Sequence, residues 1–390
     1  MKICACIAEY NPFHFGHQKH LDYIRNILKA DKIIVIMSGN FTQRGEPAVL
    51  DKFTRAKHAV MAGADLVIEL PTAIATANAE IFAKGAINLI ESLGVCDAIC
   101  FGVESGEKED YISLANAMNN ETKEFKKLLK DKLDGGISLA KAKFLTVKEL
   151  GGNDYNENLI ASPNNILGLE YVKALLKNRS KMEIYPMKRD GNHNDSELKK
   201  GITSATSIRS ALKAGEVKKL KKCMPKFVFE DLKEYPFAFD KMIMSALVTT
   251  PAKEIANVMD CTEGLENRIK ALEKDNRSVR ALVEKASTKR YTETRISRIL
   301  ISNLLQINKN LVKDCVENDL YAKVLAVKEE SKDLISLLAK NSSIPVLTRK
   351  SDTVELKKTA LDSYLLDVTA NDLYNLATDD NKNENYMIIV

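Results

Sequence analysis

Residues 7–20 read IAEYNPFHFGHQKH, and most other features of the chain are interpreted in relation to them. It continues an apolar run, residues 1–8, that only Lys2 interrupts. The run is short and is bounded by Asn11 and Pro12, which is typical of a strand buried in a parallel sheet. The chain is therefore predicted to begin with a strand that leads directly into a turn rich in histidine.

A helix is predicted to follow this turn. From the second histidine onward, apolar residues recur at spacings of three and four, at Leu21, Ile24 and Leu28. We expect an amphipathic helix that begins near His17 or His20. A strand, a turn containing Gly16 and a helix N-terminus predict an anion site, where free backbone N–H groups and the positive end of the helix dipole face one point.

His14 and His17 are the candidate phosphate ligands of this turn. They lie three residues apart, close enough for both imidazoles to reach one phosphate, donate hydrogen bonds to its oxygens and stabilise a leaving pyrophosphate. An isolated His-x-Gly-His fits a capped helix with ordinary turn histidines equally well. Its position at the first strand-to-helix turn favours phosphate chemistry.

The composition describes a globular protein of two or three domains. The chain has 390 residues, of which 45% are hydrophobic, so a sizeable core is available. No signal peptide is visible, and no apolar run approaches the roughly 18 to 20 residues that a membrane span needs. We therefore expect a cytoplasmic protein with no membrane partner.

Cysteine content and charge exclude little. Seven cysteines, an odd number, are scattered along the chain, and the pairs Cys4/Cys6 and Cys96/Cys100 lie in apolar runs. Reduced core thiols are therefore favoured over disulfides or metal ligands. The net charge of +5 permits an anionic partner without requiring one.

The first half of the chain alternates strands and helices. The predicted strands are residues 1–8, 32–38, 66–70, 98–102 and 183–187. Short links between them predict an α/β fold with a Rossmann-like, doubly wound parallel sheet. Ligands bind at the carboxyl ends of such strands, where the chain has three candidate rim loops, residues 39–47, 101–104 and 188–193. In the second of these, Gly102 would allow close approach of a nucleotide.

A second phosphate-binding element is predicted at residues 201–209, GITSATSIR, a hydroxyl-rich turn that enters a helix. Hydroxyls, N–H groups and Arg209 would converge there on one anion. The serine and threonine side chains could equally well serve only as caps of that helix.

The alternation lapses after the lysine-rich run 217–222. Amphipathic helices are predicted over residues 240–258, 262–287 and 292–305, the second beginning with a capping box of Asp260 and Glu263. Strands and helices return in the last seventy residues. We therefore predict an α/β domain at 1–224, a mainly helical domain at 225–310 and a small α/β C-terminal lobe at 311–390.

The densest basic segment of the helical part, residues 285–298, contains an aromatic residue. Arg295 and Arg298 are expected on one helix face, while Tyr291 could stack a base and Lys289 and Arg290 could meet phosphates. A solvated helix edge is the alternative that the composition alone allows.

These motifs resemble those of the HIGH-type nucleotidyltransferase superfamily. Residues 14–17, HFGH, match its first signature, and residues 203–209, TSATSIR, are similar to its second. Thr203 and Ala205 depart from that second pattern, which usually has Ile and Ser there. Together the two signatures imply ATP-dependent adenylyl transfer and do not name the acceptor.

A closer resemblance covers essentially the whole chain. Five stretches, residues 8–17, 38–47, 162–165, 201–209 and 262–268, are similar to the bacterial tRNA(Met) cytidine acetate ligase family. The resemblance implies an enzyme that activates acetate with ATP and passes the acetyl group from acetyl-adenylate to N4 of the wobble cytidine of elongator tRNA(Met). It makes residues 1–224 the ATP-binding catalytic domain and residues 225–310 the tRNA-binding domain, and it implies tRNA contacts at Lys289, Arg290, Tyr291, Arg295 and Arg298.

The resemblance also implies the site residues. The catalytic set is His14, His17, Ser204, Thr206 and Arg209. The nucleotide site comprises Ile7, Ala8, Glu9, Tyr10, Asn11, Pro12, Phe13, His14, Phe15, Gly16, His17, Gln18, Lys19, His20, Gly102, Asn164 and Arg189. Mg²⁺ fits the polyphosphate, but no carboxylate cluster marks a dedicated metal site, so no metal ligands are predicted.

Two other classes of function stay open from the sequence. A small-molecule adenylyltransferase of the cofactor-biosynthesis type would leave AMP on its acceptor and would need no helical second half. A nucleotide-regulated RNA-binding protein without catalysis is less favoured, because both phosphate motifs keep their charged members.

Overall fold

The computed structural model describes residues 1–151, 155–189, 203–232, 238–318 and 320–390. The first half contains strands β1 (Ile3–Ala8), β2 (Lys32–Ser38), β3 (Leu66–Leu70), β4 (Ala98–Val103) and β5 (Glu183–Lys188). Its helices are α1 (Phe15–Asn26), α2 (Lys52–Met61), α3 (Thr72–Ala75), α4 (Ala79–Ser92), α5 (Lys108–Asn119), α6 (Lys123–Asp134), α7 (Leu139–Gly151) and α8 (Pro163–Lys177).

The second half is mainly helical. Its helices are α9 (Ala205–Lys213), α10 (Lys226–Glu230), α11 (Ala238–Thr249), α12 (Ala252–Ile255), α13 (Leu265–Asp275), α14 (Val279–Ala286), α15 (Glu293–Leu304), α16 (Lys309–Glu317), α17 (Asp333–Asn341) and α18 (Lys358–Thr378). Three strands come last, β6 (Ala322–Val327), β7 (Val346–Leu347) and β8 (Ile388–Ile389). Short 3₁₀ turns lie at Glu157–Ile160, Val217–Lys222, Glu329–Ser331 and Lys350–Glu355.

All eight of these strands form one sheet. The order is β5-β4-β1-β2-β3-β6-β7, with β8 also paired to β6. Strands β1 to β5 run parallel, whereas β6 is antiparallel to β3. The chain builds outward from β1 first on one side and then on the other, so the order reverses there and leaves a crevice outside the carboxyl ends of β1 and β4.

The α/β, Rossmann-like fold class is thereby confirmed, as is the mainly helical part that follows the parallel strands. One feature was not predicted. The strands of the last seventy residues extend the main sheet through β6 and make no separate sheet of their own. The domain boundaries at residues 224 and 310 stay predictions.

Alternating side chains give the sheet two buried faces. In β1, Ile3 and Ala5 join the core on one face, whereas Cys4 and Cys6 join the core on the other. Both faces carry helices, which is why the strands read as continuous apolar runs. The seven cysteines are free thiols and six of them are buried, in agreement with the expected reduced core thiols.

Three predicted helices are broken in two. The sequence of residues 73–93 predicts one helix, but the structure has α3 and α4 there, with Asn78 accepting a hydrogen bond from the Ile81 backbone at 3.2 Å and so capping α4. Pro251 separates α11 from α12, and residues 276–278 separate α13 from α14. The capping box expected at Asp260 is wrong, because α13 begins only after Gly264. In the described part of the chain no helix is both long and apolar enough to cross a membrane.

A buried ionic cluster ties the end of the chain to the sheet. Lys52 of α2 binds Glu69 of β3 at 2.7 Å and Glu384 at 2.6 Å. Lys323 of β6 pairs with both carboxylates, reaching Glu69 at 3.2 Å. All four side chains are at most 5% exposed. Since each charge has partners of opposite sign, removal of one member leaves an uncompensated buried charge.

The Lys52→Met variant is expected to lower the free energy of unfolding by about 3–5 kcal/mol, because it leaves two buried carboxylates to one lysine. Urea denaturation followed by circular dichroism measures the change. Lys57→Met is the matched control on the same helix: the Lys57 side chain is 46% exposed, and its 4.0 Å pair with Asp231 should contribute less than about 1 kcal/mol. Equal losses in the two variants would contradict the importance of the cluster.

Candidate active site

The histidine turn forms a reciprocal cap on helix α1. His14 is the N-cap residue, and its Nδ1 accepts a hydrogen bond from the Gly16 backbone at 3.0 Å. In return, the His17 Nδ1 accepts from the His14 backbone at 3.3 Å. The helix therefore begins at Phe15, two residues before His17 and five before His20, the two starts expected. Glycine is required between the histidines because a Cβ on Gly16 would lie 2.8 Å from Cε1 of His14.

These hydrogen bonds determine where each imidazole carries its proton. Because both Nδ1 atoms accept hydrogen bonds, the neutral rings carry their hydrogen on Nε2. The two rings stack with centroids 3.8 Å apart. The Nε2 atom of His14 is buried and has no hydrogen-bond partner in the described part of the protein. The turn thus presents an N–H donor whose acceptor is to be supplied by a ligand.

Burial keeps these histidines neutral. Burial, together with the nearby guanidinium groups of Arg189 and Arg209, lowers the pKa of His14 to about 3. Burial of the His17 ring and then its neighbour His14 lower the pKa of His17 well below the usual range. Charged donors would therefore have to come from the arginines, while the imidazoles act as neutral hydrogen-bond donors.

The expectation of free backbone N–H groups at this helix N-terminus is wrong for its first turn. Phe15 N donates to the Cys223 carbonyl at 3.3 Å and His17 N to the His14 carbonyl at 2.9 Å, while Gly16 N is used by the His14 ring. Contacts from this turn to a ligand would therefore come from its side chains. His20, one turn further on, lies 3.3 Å from Sγ of Cys100 through its Nε2 atom and so faces β4.

Aromatic side chains orient the His17 imidazole. The ring of Tyr10 packs edge-on at 4.8 Å between centroids, and the ring of Phe13 lies at 5.5 Å. Tyr10 has a left-handed backbone, with φ of 48°, an uncommon conformation for a bulky residue. A strained backbone of this kind persists only where the surrounding packing enforces it. Tyr10 and Phe13 are both buried, so the surrounding core holds this conformation in place.

The second motif enters helix α9 beside this turn. Ser204 caps the helix, its Oγ accepting from the Ser207 backbone at 3.1 Å and lying 2.8 Å from the Ser207 hydroxyl. The capping role that the sequence left open is thus present. Thr206 lies 3.5 Å from Arg209 through Oγ1 and Nη2. Gly201 and Ile202, the first residues of the motif, lie outside the described residues.

Arg209 joins the two motifs. It is 6% exposed, and its Nη1 donates to the Asn11 carbonyl in the first turn at 2.9 Å. Its Nε pairs with Glu46 of the loop after β2 at 2.8 Å. One guanidinium therefore holds α9, the histidine turn and the β2 loop together, at the place where it also lowers the pKa of His14.

A second part of the rim is built after β4. The stem of Arg189 packs over Gly102, where an added Cβ would lie 3.1 Å from Cδ of Arg189, and the arginine is close enough to lower the pKa of His14. Asn164 donates to Oε1 of Glu104 at 2.6 Å. Asn165, which we did not predict, accepts from the Glu104 backbone at 2.8 Å. Of the predicted rim loop 188–193, residues 190–193 lie outside the described residues.

Arg55 of α2 is a rim residue that the sequence did not reveal. Its side chain is fully buried and donates to the carbonyls of Glu9 at 2.5 Å, Ser38 at 3.1 Å and Leu50 at 2.9 Å, and also to that of Gly39. The guanidinium therefore joins the carboxyl ends of β1 and β2. In the sequence, Arg55 is simply the residue before the apolar Ala56. Nothing in the helical spacing indicates that its side chain is buried.

The basic segment of the helical part forms a polar cluster with residues 260–263. Arg290 binds Oε1 of Glu263 at 2.5 Å, and the Tyr291 hydroxyl donates to Oε2 at 2.7 Å. The Arg295 guanidinium lies 5.1 Å from the centre of the Tyr291 ring. Lys289, next to them in sequence, is exposed. The cluster presents cations and an aromatic ring on one surface.

Arg298 differs from this group. It is 8% exposed, and its Nε pairs with Oδ2 of Asp260 at 2.6 Å. Arg295 and Arg298 lie on one helix face, as predicted, since both donate to Asp260, but the packing of α15 against residues 260–263 buries the second arginine. A direct RNA contact from Arg298 does not fit its burial.

Metal ligands were not predicted, and no cluster of three or more His, Cys, Asp or Glu side chains that could hold a metal ion occurs in the residues that the structure describes. The donors that converge on the turn are imidazole and guanidinium N–H groups, which suit phosphate oxygens. These N–H donors can bind a polyphosphate and stabilise the negative charge on its oxygens.

Known proteins resemble this chain over its whole length. A family model described as HIGH Nucleotidyl Transferase matches residues 1–387. The tRNA(Met) cytidine acetate ligase of Clostridium novyi (strain NT) is 38% identical over 388 residues, covering 96% of this chain and 95% of that protein. Its counterpart in Clostridium perfringens (strain ATCC 13124) is 37% identical over 404 residues, covering 100% and 98%. The solved structure of Thermotoga maritima TmcAL bound with alpha-thio ATP has a TM-score of 0.91 and 29% identity and covers 100% of both chains.

The imidazoles of His14 and His17 are expected to stay neutral, with hydrogen on Nε2, from pH 8 down to about pH 5. Because the pKa of His14 is lowered to about 3 in the folded protein, the unfolded chain protonates this imidazole more readily than the folded protein does. The contribution of the neutral His14 to the free energy of unfolding is therefore complete above about pH 6.5 and is lost as the pH falls towards 3. Two-dimensional ¹H–¹⁵N correlation of the imidazoles across this range tests the prediction, and a midpoint near 6.5 for His14 would contradict it.

Proposed function

The chain belongs to the tRNA(Met) cytidine acetate ligase family of HIGH nucleotidyl transferases, and we propose that it activates acetate with ATP and acetylates N4 of the wobble cytidine of elongator tRNA(Met). The observation that carries the proposal is the histidine turn. There the buried Nε2 of His14 has no hydrogen-bond partner among the described residues, and Arg189 and Arg209 lie close enough to influence its protonation. Such donors match the oxygens of a triphosphate.

Acyl-adenylate formation is the first step. An acetate oxygen attacks the α-phosphorus of ATP in line, a bond to the α-phosphorus forms, and the bond to the bridging oxygen of pyrophosphate breaks. Acetate is already ionised at neutral pH, so this step needs no general base. His14 and His17 would donate Nε2 hydrogens to the phosphate oxygens on which charge develops, so that rate acceleration comes from positioning and electrostatic stabilisation.

The two motifs would divide the polyphosphate between them. His14 and His17 lie at the start of α1, and Ser204, Thr206 and Arg209 approach from α9. Arg209 already binds the Asn11 carbonyl and Glu46, so we assign it first to fixing the turn and then, through its remaining N–H groups, to the distal phosphates. Mg²⁺ would come with ATP through phosphate oxygens, and we assign no step to it.

Transfer to RNA is the second step. The N4 amine of cytidine attacks the acetyl carbonyl carbon, the bond from that carbon to the AMP oxygen breaks, and AMP leaves as N4 loses a proton. The base must leave the anticodon stack to reach the anhydride. Lys289, Arg290, Tyr291 and Arg295 are proposed as RNA contacts, because cations beside an aromatic ring suit a phosphate backbone and an unstacked base. A substrate of this kind places the reaction in the cytoplasm.

Incubation of the full chain with ATP, labelled acetate and bulk tRNA tests the proposal. We expect label in tRNA as N4-acetylcytidine, together with AMP and pyrophosphate. Pyrophosphate release without labelled tRNA would instead identify an adenylyltransferase with a small acceptor. Absence of both products would identify a nucleotide-regulated RNA-binding protein.

The His17→Ala variant should slow acetate-dependent exchange between ATP and pyrophosphate by about 100- to 1,000-fold, the effect of losing one preorganised donor worth about 2.7–4 kcal/mol. Initial exchange rates at saturating acetate measure the effect. Asn26→Ala is the control, since Asn26 is an exposed residue of the same helix. Wild-type exchange in His17→Ala would show that the imidazole is not a phosphate ligand.

The Lys289→Glu variant should weaken tRNA binding and reduce by about one the slope of log K against log salt concentration, because one phosphate contact is lost. Filter binding at several salt concentrations gives the slope. Lys274→Glu makes the same charge change at an exposed position of α13 and should leave the slope near the wild-type value. If both variants change the slope equally, the effect is one of net charge and not of this surface.

A further inference from the structure

The loop at residues 260–264 holds an unusual backbone. Asp260 has φ of 64° and Glu263 has φ of 60°, left-handed values that cost free energy for residues other than glycine, and Gly264 has φ of 79°. Both acidic side chains face the basic segment: Glu263 binds Arg290 and Tyr291, and Asp260 binds Arg298. The strained loop is therefore kept in place by the segment that we propose for RNA binding.

Asp260 connects that segment to the sheet. Its Oδ2 accepts from Nε of Arg298 at 2.6 Å, and its carbonyl accepts from Nε of Arg295 at 3.0 Å. Its Oδ1 accepts from Nδ2 of Asn78 at 3.0 Å, and Asn78 is the N-cap of α4, a helix packed on the sheet. The Asp260 side chain is only 10% exposed, so these contacts fill its environment. It is unavailable to RNA.

A glycine supports the same junction from the other side. Gly45, in the loop after β2, has φ of 74°, and a Cβ there would overlap the backbone of Ser297 and Arg298 in α15. The next residue, Glu46, pairs with Arg209. The loop that contacts the histidine turn through Arg209 is thus also seated on the helix that carries Arg295.

We propose that Asp260 is a positioning residue for acyl transfer. It sets the basic segment at a fixed distance from the nucleotide rim, so that RNA held there presents its base to the acyl-adenylate. This inference rests on the proposed function. Arg295 and Lys289 would supply affinity for phosphates, but affinity does not fix where the base lies, and a displacement of about 1 Å can cost about 100-fold in rate.

The test separates the two half-reactions in Asp260→Asn, a change that keeps a residue tolerant of the left-handed conformation and removes the charge opposite Arg298. We expect exchange between ATP and pyrophosphate to stay within about twofold of wild type. The kcat for acetyl transfer to tRNA should fall between about 10- and 100-fold, with a smaller change in KM for tRNA. Asp379→Asn is the matched control, because Asp379 also has a left-handed backbone, with φ of 52°, at the end of α18.

A second pair of variants approaches the junction through the glycine. Gly45→Ala should lower the ratio of transfer to exchange at least tenfold, because its Cβ would displace the loop from α15. Gly215 has φ of 72°, and no described residue lies within 4 Å of a Cβ added there. Gly215→Ala therefore carries the same backbone penalty without the contact and should leave the ratio unchanged. This pair decides the matter if Asp260→Asn does not fold.

Three results would overturn the inference. Transfer rates in Asp260→Asn equal to those in Asp379→Asn would show that the contact sets nothing. Parallel loss of exchange and transfer with a lower Tm would show a structural role only, and a rise in KM with unchanged kcat would show a binding role. Each presupposes that wild-type protein labels tRNA. A wild-type protein that fails to do so would refute the proposed function itself.

Discussion

The buried guanidinium of Arg55 is the interaction on which the carboxyl rim of the sheet depends. Its N–H groups bind carbonyls at the end of β1, at the end of β2 and at Leu50 before α2, places where the strand ladder no longer satisfies backbone oxygens. The histidine turn and the β2 loop both leave the sheet from these points. Because the Arg55 guanidinium holds the start of both segments, the side chains of the histidine turn and of the β2 loop can meet although neither segment has regular secondary structure.

The local sequence pattern was sufficient to predict the parallel strands. It was insufficient to predict which later segments pack against them. Strands β2 and β3 have the bounds predicted from their apolar runs, since a buried strand between turn residues is recognisable in isolation. The pairing of β6 with β3 was not predictable, because strand pairing over such a separation leaves no local signal. For the same reason the sequence of α2 does not reveal that Lys52, Arg55 and His58 are all buried, because their partners, which include Glu384, Glu9 and Asp231, are distant in the chain.

The candidate site divides in the same way. The position of His-x-Gly-His at a strand-to-helix turn was predictable from the local pattern, but the reciprocal cap, with glycine fitting between two rings, was not. Roles that depend on distant partners were not predictable. Arg298 has the spacing of a surface residue on α15, yet Asp260, 38 positions earlier in the chain, draws it into a buried pair. Whether an arginine binds RNA or holds the fold is decided by a partner that periodicity does not show.

The ionic cluster has a consequence for the newly made chain. Lys52 and Glu384 are 332 positions apart, so a ribosome adding roughly 5–20 residues per second makes the second roughly 15 to 70 s after the first. For most of that interval α2 is present without β6, and for all of it without Glu384 or β8. The nucleotide-binding half is therefore completed only as translation ends. Truncated translation products would expose this helix and its charges, which makes them ready targets for chaperones and proteases.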